Sequence, residues 1–289
     1  MTTNLPAVRP PRVPKASVRR ARRGWLSTAV GVLLMMFFLF PIYWMVNVSL
    51  QSSAAGSAAD TPLIPLRPTF DAYARAFADQ GDHLMISLVV ALGTVLFTLV
   101  IAAPGSYALA HYRIRGVRTV LLLLLITQMV PSIVVANAVY SAYADLGLLN
   151  SIVGLVLADA TLGIPFSMLI LHAFMQSIPK EVIEASRIDG ASAMRTFWSV
   201  VLPMSRNALV TAALFTFLFA WGDFLFALTL TTSDAVRPVT LGIYNYIGST
   251  LADWSSVMAA AVLASIPAAV LLVFAQRFVA AGLGAGAVK

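Results

Sequence analysis

The chain has 289 residues, of which 60% are hydrophobic and 11% charged, and its mean hydropathy is +0.87. Soluble domains carry about 25% charged residues, so a water-soluble globular fold is excluded and a bilayer protein is indicated. The formal net charge is +7 and there is no cysteine, which excludes disulfides and thiolate metal sites; His83, His111 and His172 are too scattered to suggest a metal cluster.

Residues 1–24 form a basic tail in which Arg9, Arg12, Lys15, Arg19, Arg20, Arg22 and Arg23 stand without any acid. Beside an apolar run, such a cluster reads as an orientation signal and an anchor for anionic lipid, worth about 1 kcal/mol per basic residue near the surface, rather than as a nucleic-acid site. The run that follows is too long for a signal-peptide core and has no small-residue cleavage site, so it is read as a span. A hydrocarbon core about 30 Å thick needs roughly 20 apolar residues at 1.5 Å per residue. Runs over about 25–48, 84–110, 119–143, 150–175, 205–231 and 254–276 meet that requirement. Before the second span, PLIPLRPTFDAYARAF carries turn prolines and then a helical pattern. Asn150 or Ser151 offers an N-cap to the fourth span.

An even number of spans places both termini on one side. The tail, the loop around residues 111–118, the segment 178–206 and the end from Arg277 together hold 16 of the 19 Lys and Arg residues; Arg67, Arg75 and Arg237 lie on the other side with Asp60, Asp71, Asp79 and Asp82. By the positive-inside rule the basic side is cytoplasmic. The expected fold is thus an all-α polytopic membrane protein of six transmembrane helices, a single domain over 25–276, with cytoplasmic N- and C-termini and a short cytoplasmic tail over 277–289.

Both of the chain's glutamates, Glu181 and Glu184, fall in one polar island over 177–203, in the longest cytoplasmic loop. Ser177 can cap a helix starting at Ile178, with Pro179 in its first turn and the glutamates near the positive end of its dipole. At 100° per residue Ile178, Val182 and Ala185 form an apolar stripe opposite Lys180, Glu184 and Arg187. Gly190 breaks this helix, a second helical run covers Ala191 to Leu202, and Pro203 ends or bends it.

Glu184, Ala185, Gly190, Val200, Leu202 and Pro203 stand at the spacings of the EAA loop of membrane subunits of binding-protein-dependent ABC importers, with Ser186 in place of a second alanine and Val200 in place of the usual isoleucine. The pieces YALAHYRIRG, LGLLNS, AWGDFLFAL and RFVAAGLGAGAVK extend the likeness, so that the chain resembles the second permease subunit of maltose-type carbohydrate importers; Gly222 departs from the asparagine common there. The resemblance implies a type I ABC importer permease fold and a coupling helix in which Glu184, Ala185, Ser186, Arg187, Asp189, Gly190, Ala191, Leu202 and Pro203 meet the ATPase. It further implies a sister six-span permease subunit, a dimer of ABC ATPase subunits holding ATP and Mg, an extracellular or lipid-anchored sugar-binding protein, and residence in a bacterial plasma (inner) membrane. The glycine-rich tail resembles the segment that reaches into the ATPase dimer. No GxxxxGK[ST] phosphate loop occurs in the sequence, so ATP hydrolysis is expected in a partner and no cofactor in this chain.

Asp159 and Asp223 lie within spans, where a carboxylate costs about 2.5–3.5 kcal/mol on insertion scales and calls for a partner or a wet cavity. Sugar sites combine carboxylates and amides for hydroxyls with aromatic faces for the ring, so Asn137, Tyr140, Tyr143, Asp159, Trp221 and Asp223 are candidates for the substrate pathway. The same residues have structural roles open to them, as interfacial aromatics and helix-to-helix contacts. An ion-coupled secondary transporter relaying charge through Asp159 and Asp223 is the rival reading, without a visible internal repeat to support it. A permease for glycerol phosphate esters would call for basic residues in the cavity, and the span interiors contain none.

Overall fold

The computed structural model describes residues 17–52, 62–65, 67–249 and 253–287. The basic tail up to residue 16, Asp60 and the last two residues lie outside the described residues. Among the described residues the chain is helical, with no strand. Four helices are long and apolar enough to cross a membrane, or up to six if each of two bent pairs is one span.

Helix α1 (Ser17–Ser49) contains the first expected span. Helix α2 (Asp71–His111) is longer than the expected 84–110, because the helical pattern beginning at Asp71 runs without a break into the apolar stretch. The third expected span, 119–143, is not straight: α3 (Val117–Thr127) and α4 (Ser132–Leu146) meet at 94°. Pro131, at φ −61° and ψ 134°, supplies no N–H and pushes the preceding residue out of helical geometry, so the helix cannot run through it. Helix α5 (Ile152–Gln176) is the fourth span, and Ser151 caps it by accepting the Gly154 N–H at 2.8 Å.

The polar island forms α6 (Lys180–Ile188), α7 (Ala193–Thr196), a π-helical turn over Phe197–Val201 and α8 (Leu202–Met204). The fifth expected span, 205–231, is interrupted, with α9 (Arg206–Trp221) and α10 (Leu225–Leu230) on either side of Gly222, Asp223 and Phe224. Helix α11 (Val239–Ser249) leads to α12 (Trp254–Ala287), which carries the sixth span; the segment expected as a separate tail from residue 277 is helical as far as Ala287.

The direction of each helix follows from its contacts. A Cβ built on Gly93 lies 3.0 Å from Val156, one on Gly163 lies 2.9 Å from Thr98, and one on Gly105 lies 3.0 Å from Met168. These pairs climb both chains together, so α2 and α5 are parallel, and α3 with α4 must return the chain to the end at which α2 began. Helix α9 is antiparallel to α2, because Ala208 packs with Tyr107 whereas Trp221 packs with Ala91. Helix α12 is parallel to α2, since Asp253 pairs with Arg75 at 3.2 Å and Ala259 and Ala260 pack on Ala72 and Ala76. Ser49 hydrogen-bonds Tyr73 at 2.7 Å, so α1 delivers the chain to that same end, where α2 begins. Helix α1 therefore begins, and α12 finishes, towards the end that holds α6.

The interior is built from small residues. Gly163 sits between Thr98 and Thr216, the Ser167 and Thr216 hydroxyls bond at 3.1 Å, and the Ser106 hydroxyl donates to the Met168 carbonyl at 3.1 Å. Lipid removes the hydrophobic drive between helices, so close backbone approach and hydrogen bonds hold them together. A methyl group at Gly163 forces α2, α5 or α9 apart. Gly163→Ala is expected to destabilise the protein by about 1–3 kcal/mol, the usual range for overpacking. Gly31→Ala, with nothing within 4 Å, is expected to be neutral. Thermal melting in detergent checks this, and equal melting temperatures for the two variants would contradict it.

Candidate functional site

The polar island is held from beneath by an apolar and aromatic cluster. Ile178, Ile183, Phe197 and Val201 are buried against Tyr107 of α2, Leu171 and Met175 of α5, and Ala208 and Ala212 of α9. The Tyr107 and Phe197 rings lie 5.4 Å apart at 35°. Helix α6 starts at Lys180 rather than Ile178, and Ser177 instead closes α5, its hydroxyl donating to the Phe174 carbonyl at 2.7 Å. Pro179, extended at ψ 134°, separates the two helices. With that later start the buried face centres on Ile183, with Val182 and Ser186 half-buried, and Ala185 is exposed rather than in the stripe.

Gly190 takes φ +83°, left-handed backbone in which a side chain costs about 1–2 kcal/mol. Around it the N–H groups of Asp189 and Ala191 reach back to the carbonyls of Ala185 and Ser186 at 3.0 Å each, closing the helix end. Ser192 caps the next turn by accepting the Arg195 N–H at 3.3 Å, and the Ser186 and Thr196 hydroxyls join the two helices at 3.0 Å. Pro203 does not end the second run; the helix continues to Met204, and the 77° bend into α9 follows at Ser205. The π-helical turn before it carries the Leu202 N–H to the Phe197 carbonyl and so fits a proline into a continuing helix.

What faces outward is specific. Glu184, Ala185, Arg187, Asp189, Gly190 and Pro203 are exposed, while Ser186, Ala191 and Leu202 are half-buried. Three large apolar side chains that sequence reasoning missed stand beside them: Ile188 at 87% exposure, Met194 at 63% and Trp198 at 61%. Their signal was available, since each lies off the phase set by Ile183, Phe197 and Val201. A charged rim around an apolar centre, on a scaffold locked to three spans, suits docking to another protein.

The second set of candidates divides. Asp159, on α5, is buried at 6% exposure, and among the described residues no hydrogen bond reaches its carboxyl. Tyr143 and Asp223 lie within electrostatic reach of it. The Asp223 carboxylate accepts the N–H groups of Phe226 and Ala227 at 3.3 and 3.0 Å and so caps α10, a role that its place before a short apolar helix could have signalled. Its backbone carbonyl accepts the Thr240 hydroxyl. Trp221 lies apart, stacked on Phe217 at 5.5 Å, with its indole N–H donated to the Ala264 carbonyl at 3.0 Å. Asn137 and Tyr140 are exposed on α4. The structure thus brings together Tyr143, Asp159 and Asp223 and leaves the other three separate. Asn150 is not the cap of α5: at φ +54° its side-chain oxygen accepts the Thr232 and Ser233 N–H groups at 2.7 and 3.0 Å, tying the turn before α5 to the segment after α10.

Comparison with known proteins places this geometry. The family described as binding-protein-dependent transport system inner membrane component matches residues 102–284. The trehalose transport system permease protein SugB of Mycobacterium tuberculosis (strain CDC 1551 / Oshkosh) is 34% identical over 275 residues, covering 93% of this chain and 99% of the relative. The trehalose/maltose transport system permease protein MalG of Thermococcus litoralis (strain ATCC 51850 / DSM 5473 / JCM 8560 / NS-C) is 32% identical, covering 90% and 95%. A bacterial ABC transporter involved in import of the acidic polysaccharide alginate has the same fold, with a TM-score of 0.79 at 23% identity over 92% of this chain and 99% of that one. With the match spanning most of the chain, including the α6 to α8 segment and the α2, α5 and α9 ends that anchor it, the chain belongs to the binding-protein-dependent transport system inner membrane component family.

Proposed function

We propose that the chain is the membrane-spanning permease subunit of an ATP-driven ABC importer, forming half of the translocation pathway for a sugar or oligosaccharide delivered by an extracellular binding protein. The observation that carries this reading is α6: a short amphipathic helix with Glu184, Ala185 and Ile188 facing out, rigidly seated on α2, α5 and α9. The named roles of the trehalose and maltose relatives support a carbohydrate cargo. In this reading the chain crosses the membrane six times, with α3–α4 and α9–α10 as broken spans and the α6 end cytoplasmic. Its partners are a sister permease, two ATPase subunits that hold ATP and Mg, and the binding protein. The chain itself is not an enzyme.

The mechanism follows from rigidity. Closure of the two ATPase subunits on ATP draws the outward face of α6, and because Ile183, Phe197 and Val201 are locked into the spans, α2, α5 and α9 move with it. The pathway then opens alternately to the two sides, biased by the different affinity of the closed and open ATPase dimer for α6. Asp159, with Tyr143 and Asp223 beside it, is the polar point at which cargo hydroxyls can exchange water for protein hydrogen bonds.

The test of the reading is to reconstitute the assembled complex in lipid and measure which sugar-loaded binding protein raises ATP hydrolysis. Stimulation by one loaded binding protein is expected, and none by any would overturn it. Glu184→Ala and Gly190→Ala are each expected to abolish or strongly reduce uptake while insertion into the membrane is intact, the second through about 1–2 kcal/mol of left-handed strain alone; unchanged uptake in both would refute the role of α6. A lost buried hydrogen bond to cargo costs about 1–3 kcal/mol, so Asp159→Leu is expected to lower uptake roughly tenfold with stimulated hydrolysis retained. Undiminished uptake by that variant would remove Asp159 from the pathway.

A further inference from the structure

Glu184 and Ile188 face away from the chain, but Arg187 turns back towards it. Its guanidinium lies 5.9 Å from the centre of the Tyr112 ring, in the turn between α2 and α3. Tyr112 meets Tyr107 edge-on at 5.8 Å, and Tyr107 contacts both His111 and Phe197 at 5.4 Å. The Tyr107 hydroxyl is buried, has no hydrogen-bond partner among the described residues, and lies within electrostatic reach of the same guanidinium. The other attachments of α6 to its spans are the apolar seat and the Ser186 to Thr196 bond, and the latter reaches only α7. The apolar seat holds α6 through many small, non-directional dispersion contacts. A cation held against an aromatic face is directional.

We propose that Arg187 is a positioning residue that latches α6 to the cytoplasmic end of α2 through the Tyr112 ring, so that displacement of α6 reaches α2 and α3 through a directional contact as well as through the apolar seat. The proposal rests on the reading of α6 as the docking helix for the ATPase, and it adds the element that receives the motion. Helix α2 suits that part, since it packs along α5 and also contacts α9, α11 and α12. The latch has two separable halves: the cation on α6 and the ring on the α2–α3 turn. Tyr112 is exposed at 41%, so replacing it opens no cavity in the core.

The experiment measures sugar taken up per ATP hydrolysed by the whole reconstituted complex for Tyr112→Leu, Tyr112→Phe, Arg187→Gln, Arg187→Lys and the double variant Tyr112→Leu with Arg187→Gln. A contact of this kind biases an equilibrium by roughly two- to fivefold at an exposed site. Tyr112→Leu is expected to keep ATPase subunits bound and basal hydrolysis intact while uptake per ATP falls by about that factor. Tyr112→Phe, which keeps the ring, and Arg187→Lys, which keeps the cation, are expected to retain most of the coupling. The double variant is expected to be no worse than the poorer single one. Full coupling in Tyr112→Leu, or losses that multiply in the double variant, would overturn the latch; the second result would mean that Arg187 acts on the ATPase directly. Should Arg187→Gln fail to assemble, the contrast between Tyr112→Leu and Tyr112→Phe decides the question. A complex in which no variant, including Glu184→Ala, affects coupling would instead refute the underlying reading of α6.

Discussion

The structure depends on one packing contact: the seating of Ile183, Phe197 and Val201 among Tyr107, Leu171, Met175, Ala208 and Ala212. This cluster lies where three spans end, so a helix that is polar on its outer face is fixed to all three at once. Close-packed interiors transmit displacement because they compress little. Without the cluster, Glu184 and Ile188 would sit on a loop, and a pull on them would stretch the loop and leave the spans in place.

Rigidity at that end contrasts with broken geometry elsewhere. Backbone polar groups inside a membrane must be satisfied within the protein, so an interruption in a span is tolerated only where something else supplies the bonds. At Gly222 to Phe224 the supply is explicit, since the Asp223 carboxylate takes two N–H groups and its carbonyl takes the Thr240 hydroxyl. At Pro131 one donor is absent from the start, and the neighbouring turn closes through Thr127, whose hydroxyl donates to the Leu124 carbonyl at 2.7 Å. Tyr143 of α4 and Asp223, beyond α9, both lie within electrostatic reach of Asp159.

Much of this was legible in the sequence, for physical reasons. Uncharged runs near 20 residues marked the apolar parts of the four long helices, and the helical pattern in DAYARAF was visible although its fusion with the second run was not. The spacing from Glu184 to Pro203 pointed to the family. What escaped notice was geometry set by single residues. Prolines are common in membrane spans, so nothing in the sequence marked Pro131 rather than Pro165 as the one whose missing N–H divides a span. Asp223 read as a pathway carboxylate, although an Asp before a short helix is first of all a cap. Ala185 was placed in the buried stripe because its phase was taken from Ile178, which lies outside α6; the buried residue within the helix is Ile183, two positions and so about 200° round from Ala185. The pairing of Arg187 with Tyr112 joins positions 75 apart in sequence, beyond the reach of any local pattern.

The central claim is that α6 and its spans move as one body. The absence of cysteine makes the test clean, because two introduced thiols carry the only labels. Spin labels at Asp189, beside α6, and at Ser233, at the opposite end of the chain, report their separation in the assembled complex without nucleotide and with ATP trapped. The account predicts a separation that stays the same in both states, while the distance from Asp189 to the sister permease changes. A change in the Asp189 to Ser233 separation on ATP binding, with the two permeases holding still, would contradict it.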